Sequence, residues 1–330
     1  MERKSLLNQL ELGYAPLTAY EFAITKNDIF IERALKNASL YIIAQRPVIT
    51  FENVSVDENS YSLIFEIHQK ENSNIIKGKL PLIQKAVDSN DNDTIAVAFN
   101  YLDKKSETQN SFPLYNIHGF SLVNVLENEN KFLIWFSPEK LLQNWWKGNI
   151  ECELYGDFRS FTIYKVHYVG KATRQSILKR LTGHNTLQDI LSLESPVTEK
   201  QLPANEIVIL PFEFKDNLQF QVFGKESTIE NMVSSLKGEN YPKQEKVFLD
   251  AEKALIKAMQ PQYNKELFKS YPISKDGLYN DNYDTISYTF IDPITLKYSE
   301  GEILGCLTNI GGDSIIISNN KDFKLVKHQE

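Results

Sequence analysis

Six short runs rich in β-branched and aromatic residues, at 40–51, 61–68, 75–80, 94–101, 119–125 and 132–136, are parted by turns of Asn, Asp, Ser and Glu. Runs of that length and composition are strand signals, and six in succession commit the first part of the chain to a sheet-based fold. One helix precedes them. Thr25-Lys26-Asn27-Asp28 offers an N-terminal cap, and Ile29, Phe30, Ala34 and Leu35 follow at helical spacing. The polar stretch 103–111 reads as a mobile loop. Ser137-Pro138 pairs a capping hydroxyl with a proline at the first helical position, starting a helix that runs to Trp146 and closes a β-rich domain at 1–146.

Beyond that helix, 150–155 and 161–169 read as strands, 174–181 as a helix ended by Gly183, and 206–214 and 218–223 as two more strands. A helix at 244–259 is stopped by Pro261 and completes a middle domain at 147–270. Short strand-like runs at 285–291, 302–307, 314–318 and 323–326 form a C-terminal extension, 271–330.

With 330 residues, 42% of them apolar, the chain is long enough for two domains with full cores. The apolar run at 6–12 is too short and interrupted for a signal peptide, and no stretch reaches about 18 apolar residues. The expectation is a soluble, cytoplasmic protein with no membrane partner. Cys152 and Cys306 lie far apart without a CxxC partner, which points to neither a disulfide framework nor a structural zinc site. The net charge of −7 counts against binding nucleic acid over the whole surface, yet residues 158–188 hold Arg159, Lys165, Lys171, Arg174, Lys179 and Arg180 and no acid. A cationic face on an acidic body draws phosphate to one place.

Glu252 is the most telling single position. It lies four residues after Phe248 and four before Ile256, inside the apolar stripe of the 244–259 helix. A buried carboxylate must be met by a cation, by hydrogen bonds or by a proton. The structural alternative is an ion pair with Lys246, Lys253 or Lys257 at the edge of the face. Arg180 and His184 are one helical turn apart, provided that Gly183 does not break the helix first. Arginine can hold a phosphate oxygen with two donors, and histidine can donate to it or move a proton.

Three features together resemble the GIY-YIG nuclease family, and most of all the N-terminal nuclease of the incision subunit of bacterial nucleotide-excision repair. Tyr168-Val169-Gly170-Lys171-Ala172 looks like the YIG strand, and Lys179-Arg180-Leu181 with His184 like the arginine helix. Glu252 with Pro261-Gln262-Tyr263-Asn264 looks like the metal-binding glutamate and the P-x-Y-N segment behind it. The resemblance covers about residues 150–265. It implies an α+β fold, a small mixed or antiparallel sheet flanked by helices, set between the β-rich N-terminal domain and the short β-rich extension.

The roles implied are a tyrosine near the attacking water at Tyr168, phosphate contacts at Lys171, Arg180 and Asn264, a histidine at His184, and one Mg²⁺ or Mn²⁺ on Glu252. These suit in-line hydrolysis of a phosphodiester. Where the family has its first tyrosine, this chain has Phe158, so Tyr155 or Tyr164 stands as the candidate and the choice stays open. The function expected is that of a divalent-metal-dependent endonuclease acting on nucleic acid, DNA ahead of RNA, in restriction or anti-phage defence, with a homo-oligomer among the allowed assemblies. Against it stand a non-catalytic nucleic-acid-binding module and an RNA-cleaving effector.

Overall fold

A computed structural model describes residues 3–90, 93–101, 111–127, 129–193, 204–225, 227–307 and 311–328. Apart from Ser111, the loop expected at 103–111 lies outside the described residues. The chain divides into two compact units, one of residues 1–46, 163–201 and 206–330, the other of 47–162 and 202–205. Among the described residues no helix is long and apolar enough to cross a membrane.

In chain order the first unit opens with β1 (Arg3–Leu12), β2 (Leu17–Thr18), α1 (Ala19–Thr25), α2 (Ile29–Ala34) and β3 (Leu40–Pro47). The second unit holds β4 (Ile49–Asp57), β5 (Ser62–Gln69), β6 (Ile76–Pro81), β7 (Ile95–Tyr101), β8 (Ile117–Val125), β9 (Asn130–Phe136), α3 (Pro138–Trp146) and β10 (Glu153–Tyr155). The first unit resumes with β11 (Ile163–Lys171), α4 (Ile177–Leu181), α5 (Asn185–Leu193), β12 (Asn205–Val222), α6 (Ile229–Leu236) and α7 (Gln244–Met259). It ends with β13 (Thr285–Phe290), β14 (Thr295–Tyr298), β15 (Gly301–Leu304), β16 (Ser314–Ser318) and β17 (Asp322–Val326).

The expectation of a small sheet flanked by helices is overturned. Strand makes up 40% of the structure and helix 24%. The strands gather into one ten-stranded and one seven-stranded sheet. The larger runs β15-β14-β11-β3-β12-β1-β13-β16-β17, with β2 also on β12. Two features of the chain enlarge it. The N-terminal stretch, whose polar interruptions hide its alternation, forms β1 against both β12 and β13. The C-terminal runs do not stand apart as an extension, because β13 pairs parallel with β1 and β14 pairs parallel with β11. The two strands expected at 206–214 and 218–223 are one 18-residue strand, which a register shift opposite Gln9 and Leu10 carries through the polar interruption.

The seven-stranded sheet follows the order β10-β6-β5-β4-β8-β7, with β9 also on β8. Its core is aromatic: Phe51 meets Phe65 edge to face at 5.2 Å and Phe120 at a tilt at 5.1 Å, and Phe120 meets Phe136 at 5.6 Å. Ser137 caps α3 by accepting from the Lys140 amide, as the sequence leads one to expect.

In the larger unit, β3 and β12 present Tyr41, Ile43, Ile207 and Ile209 to α4 and α5, which bury Ile177, Leu178, Leu181, Leu187 and Ile190 against them. Strand alternation turns Phe214 to the opposite face of β12, where its ring lies 4.4 Å from that of Phe248 on α7. Asp250 fastens α7 on that side. Its carboxylate accepts from the hydroxyls of Tyr271 at 2.6 Å and Tyr288 at 2.8 Å and from the Leu278 amide at 2.8 Å.

Candidate active site

The outer edge of β11 explains where a cleft can open. β14 covers that edge only beside Ile163, Tyr164 and Lys165. Further along, the segment after α7 takes over. The Tyr263 amide donates to the His167 carbonyl at 3.1 Å, and the Asn264 side chain receives the Val169 amide at 2.9 Å while donating to the Val169 carbonyl at 2.8 Å. Asn264 thus acts as one more rung of the ladder, and both polar ends of its amide are spent on the strand. The end of β11, with Tyr168 and Lys171, opens into a cleft walled by α4 and α7.

Four of the residues singled out in the sequence meet in that cleft: Tyr168, Lys171, Arg180 and Glu252 line it on both sides, and His184 and Asn264 line one of them. The helix α4 stops at Leu181, and Gly183, with φ of +77°, turns the chain so that His184 stands at the head of α5 rather than on the helix of Arg180. The break leaves the pair on one wall all the same.

Glu252 is 9% exposed, and burial lifts its carboxyl above the ordinary range against the opposing pull of Lys171. Its partner is not a lysine of its own helix. Lys246 pairs with Asp281, Lys253 with Asp276, and Lys257 donates to the carbonyls of Lys269 and Tyr271. The ammonium of Lys171 reaches across from β11 to the Glu252 carboxylate at 2.5 Å.

The two tyrosines proposed for the first position go elsewhere. Tyr164 is 0% exposed, its side chain in the core beside β14. Tyr155 sits on β10 in the other unit, 65% exposed, with its hydroxyl donating to Glu153 at 3.1 Å. Neither lines the cleft. The tyrosine that stands beside Tyr168 is Tyr41, on the neighbouring strand β3, where it pairs with Gly170. Its hydroxyl lies 3.2 Å from Nε2 of His184, and its ring lies 6.1 Å from that of Tyr168, which in turn stands 5.3 Å from the imidazole. The Leu187 amide donates to the His184 carbonyl at 3.0 Å and lies 3.3 Å from Nδ1; in the neutral tautomer in which Nδ1 accepts, Nε2–H is the donor to Tyr41.

Gly170 makes room for the rings of Tyr41 and Tyr168. A Cβ there would stand 2.6 Å from Cε1 of Tyr168 and 2.7 Å from Cζ and the hydroxyl of Tyr41. Burial raises both phenols above their ordinary pKa, and for Tyr168 the Glu252 charge adds to it, so both stay protonated at neutral pH. Burial first and the Arg180 charge second lower the His184 imidazole, which is neutral there. No local signal in the sequence marks Tyr41, which lies in an unbroken apolar run, Leu40-Tyr41-Ile42-Ile43. Only the pairing of β3 with β11 brings it to the site.

Among the described residues no group of three or more His, Cys, Asp and Glu side chains could hold a metal ion. A single buried carboxylate fits a hard cation that keeps most of its waters and shares phosphate oxygens, as Mg²⁺ and Mn²⁺ do, and does not fit one that needs a protein cage. The Lys171 ammonium on Glu252 marks the place as one where positive charge is stabilised. No family model, curated protein or solved structure matches this chain.

Proposed function

We propose that the chain is a divalent-metal-dependent endonuclease that hydrolyses phosphodiester bonds, with DNA as its substrate ahead of RNA, working in the cytoplasm in restriction or defence against phage. The observation that carries the reading is the convergence of Tyr168, Arg180, His184, Lys171 and Glu252 from separate elements on one cleft, joined by Tyr41. It rests on those residues, with the resemblance to the GIY-YIG nucleases as analogy. A divalent ion on Glu252 would supply Lewis-acid stabilisation of the charge that grows on the phosphate.

The chain's own groups do the rest. Arg180 and Lys171 hold the non-bridging oxygens and carry off negative charge as the phosphorus becomes five-coordinate. Tyr168, held from behind by Tyr41 and His184, points a hydroxyl into the cleft and orients the water that attacks in line. Because the phenol stays protonated, it acts by orientation and as a hydrogen-bond partner rather than as a standing base. Asn264 and Gly170 keep the strand and its two rings in register for this.

A second reading, a non-catalytic nucleic-acid-binding module, draws on the Lys171–Glu252 ion pair, which occupies a carboxylate oxygen that a metal would need. Plasmid incubated with the protein, with Mg²⁺ and with chelator, separates the two. Divalent-dependent nicking that disappears in Glu252→Ala supports the enzyme; retained binding that Arg180→Ala weakens, with no cut in any protein, supports the module. Duplex DNA, single strands and structured RNA as parallel substrates decide the substrate class.

A further inference from the structure

The Lys171–Glu252 contact sits at the junction of two clefts of about 540 Å³ each, which share Tyr168, Lys171, Arg180 and Glu252 as walls. One cleft extends past Thr173, Arg174 and Gln175, the other past His184, Tyr263 and Lys265. The pair is largely withdrawn from water, with side chains 28% and 11% exposed for Lys171 and Glu252. Lys253, the neighbouring cation on α7, is held by Asp276, and among the described residues Lys171 alone forms an ion pair with the Glu252 carboxylate.

Resting on the nuclease reading, we infer that the Lys171 ammonium is a resident competitor for the divalent cation: its side chain has two positions, on the Glu252 carboxylate in the metal-free protein and on a substrate phosphate once the ion arrives. The ammonium holds Oε2 and neutralises the carboxylate, so a dication that takes Glu252 meets a like charge within the same small space. A buried carboxylate left without a cation is costly, so one of the two must be present. Lysine suits the exchange, being a compact charge on a flexible four-carbon stem. The ammonium leaves Glu252 without loss only where a phosphate receives it, so metal and phosphate each raise the affinity of the site for the other, by the same factor. The protein on its own then binds metal weakly and is loaded at its substrate.

Mn²⁺ alone, titrated into the full chain and followed by the electron paramagnetic resonance of the free ion, tests this without any turnover. Lys171→Met should bind Mn²⁺ about tenfold more tightly than the intact protein, a coupling of ordinary size for linked sites. Lys171→Gln should do the same, so that a folding defect in one variant leaves the other to decide. Lys171→Arg, which keeps the charge, should stay close to the intact protein, and Glu252→Gln should lose binding. Equal or weaker binding in both neutral Lys171 variants, with Glu252→Gln still losing it, overturns the competition and leaves the nuclease reading standing. Failure of the intact protein and of both neutral variants to bind Mn²⁺ overturns both.

Discussion

The Tyr41 hydroxyl lies 3.2 Å from Nε2 of His184 although 143 residues separate them in the chain, and the rings of both pack against Tyr168, which lines the cleft. Removing the Tyr41 oxygen leaves the ring to fill its place in the core and cuts the contact with His184 behind Tyr168. Tyr41→Phe should keep its fold and its affinity for nucleic acid while cleavage under single-turnover conditions falls about a hundredfold, the scale of a reacting group misplaced by an ångström. The same loss is expected of Tyr168→Phe, and the double variant should be little worse than either, because both changes act on the placing of one hydroxyl, that of Tyr168.

Gly170 is the spacer for those two rings. A methyl group at this position would come within 2.6 and 2.7 Å of the rings of Tyr168 and Tyr41, so Gly170→Ala forces them apart or moves the strand. Urea unfolding should show a loss of about 1–3 kcal/mol, the usual range for overpacking. Unchanged stability would mean that the rings separate freely.

Stability should carry a His184 signature in its pH dependence. The imidazole is held below its ordinary value of 6.5 in the folded protein, by burial and then by Arg180. Between the two values the unfolded chain takes up a proton that the folded chain refuses. The stability that this group contributes is therefore complete above the unfolded value and is lost as pH falls through the lower, folded one. Chemical unfolding from about pH 7.5 down to about pH 5 should give a steeper decline for the intact protein than for His184→Gln. Parallel curves would remove His184 from the account.

Asn264 is expected to act through the strand edge. Asn264→Leu deletes both side-chain bonds to Val169 and leaves that residue's amide and carbonyl unmet, a loss of about 1–3 kcal/mol. Hydrogen exchange at the Val169 amide, measured in the native protein, should accelerate well beyond that of its neighbours on β3. Unaltered exchange would show that water replaces the amide without consequence.

Part of the local structure is legible locally, although the run 40–51 is two strands of different sheets. The helix at 244–259, the Ser137 cap and the strand at Tyr168 follow from periodicity and capping chemistry, which act within a few residues. The placing of Glu252 inside an apolar stripe also led to a buried carboxylate that needs a cation. What escaped was non-local. The cation comes from β11 rather than from the helix, the second tyrosine comes from β3, and the strands at both ends of the chain join one large sheet. Strand pairing between distant segments leaves no mark in either segment alone, so neither sheet size nor Tyr41 was legible. Nearness to Tyr168 in sequence points instead to Tyr155 and Tyr164, one of which lies in the other unit and the other in the core.

The most direct measurement is single-turnover cleavage of a labelled DNA duplex in Mg²⁺ by the intact protein and by Glu252→Ala, with binding of the same duplex followed in parallel. The account predicts that Glu252→Ala binds the duplex and cuts it at least about a thousandfold more slowly, as loss of the groups that stabilise phosphoryl charge requires. Cleavage by Glu252→Ala at the rate of the intact protein, or an intact protein that cuts equally well in chelator, would contradict it.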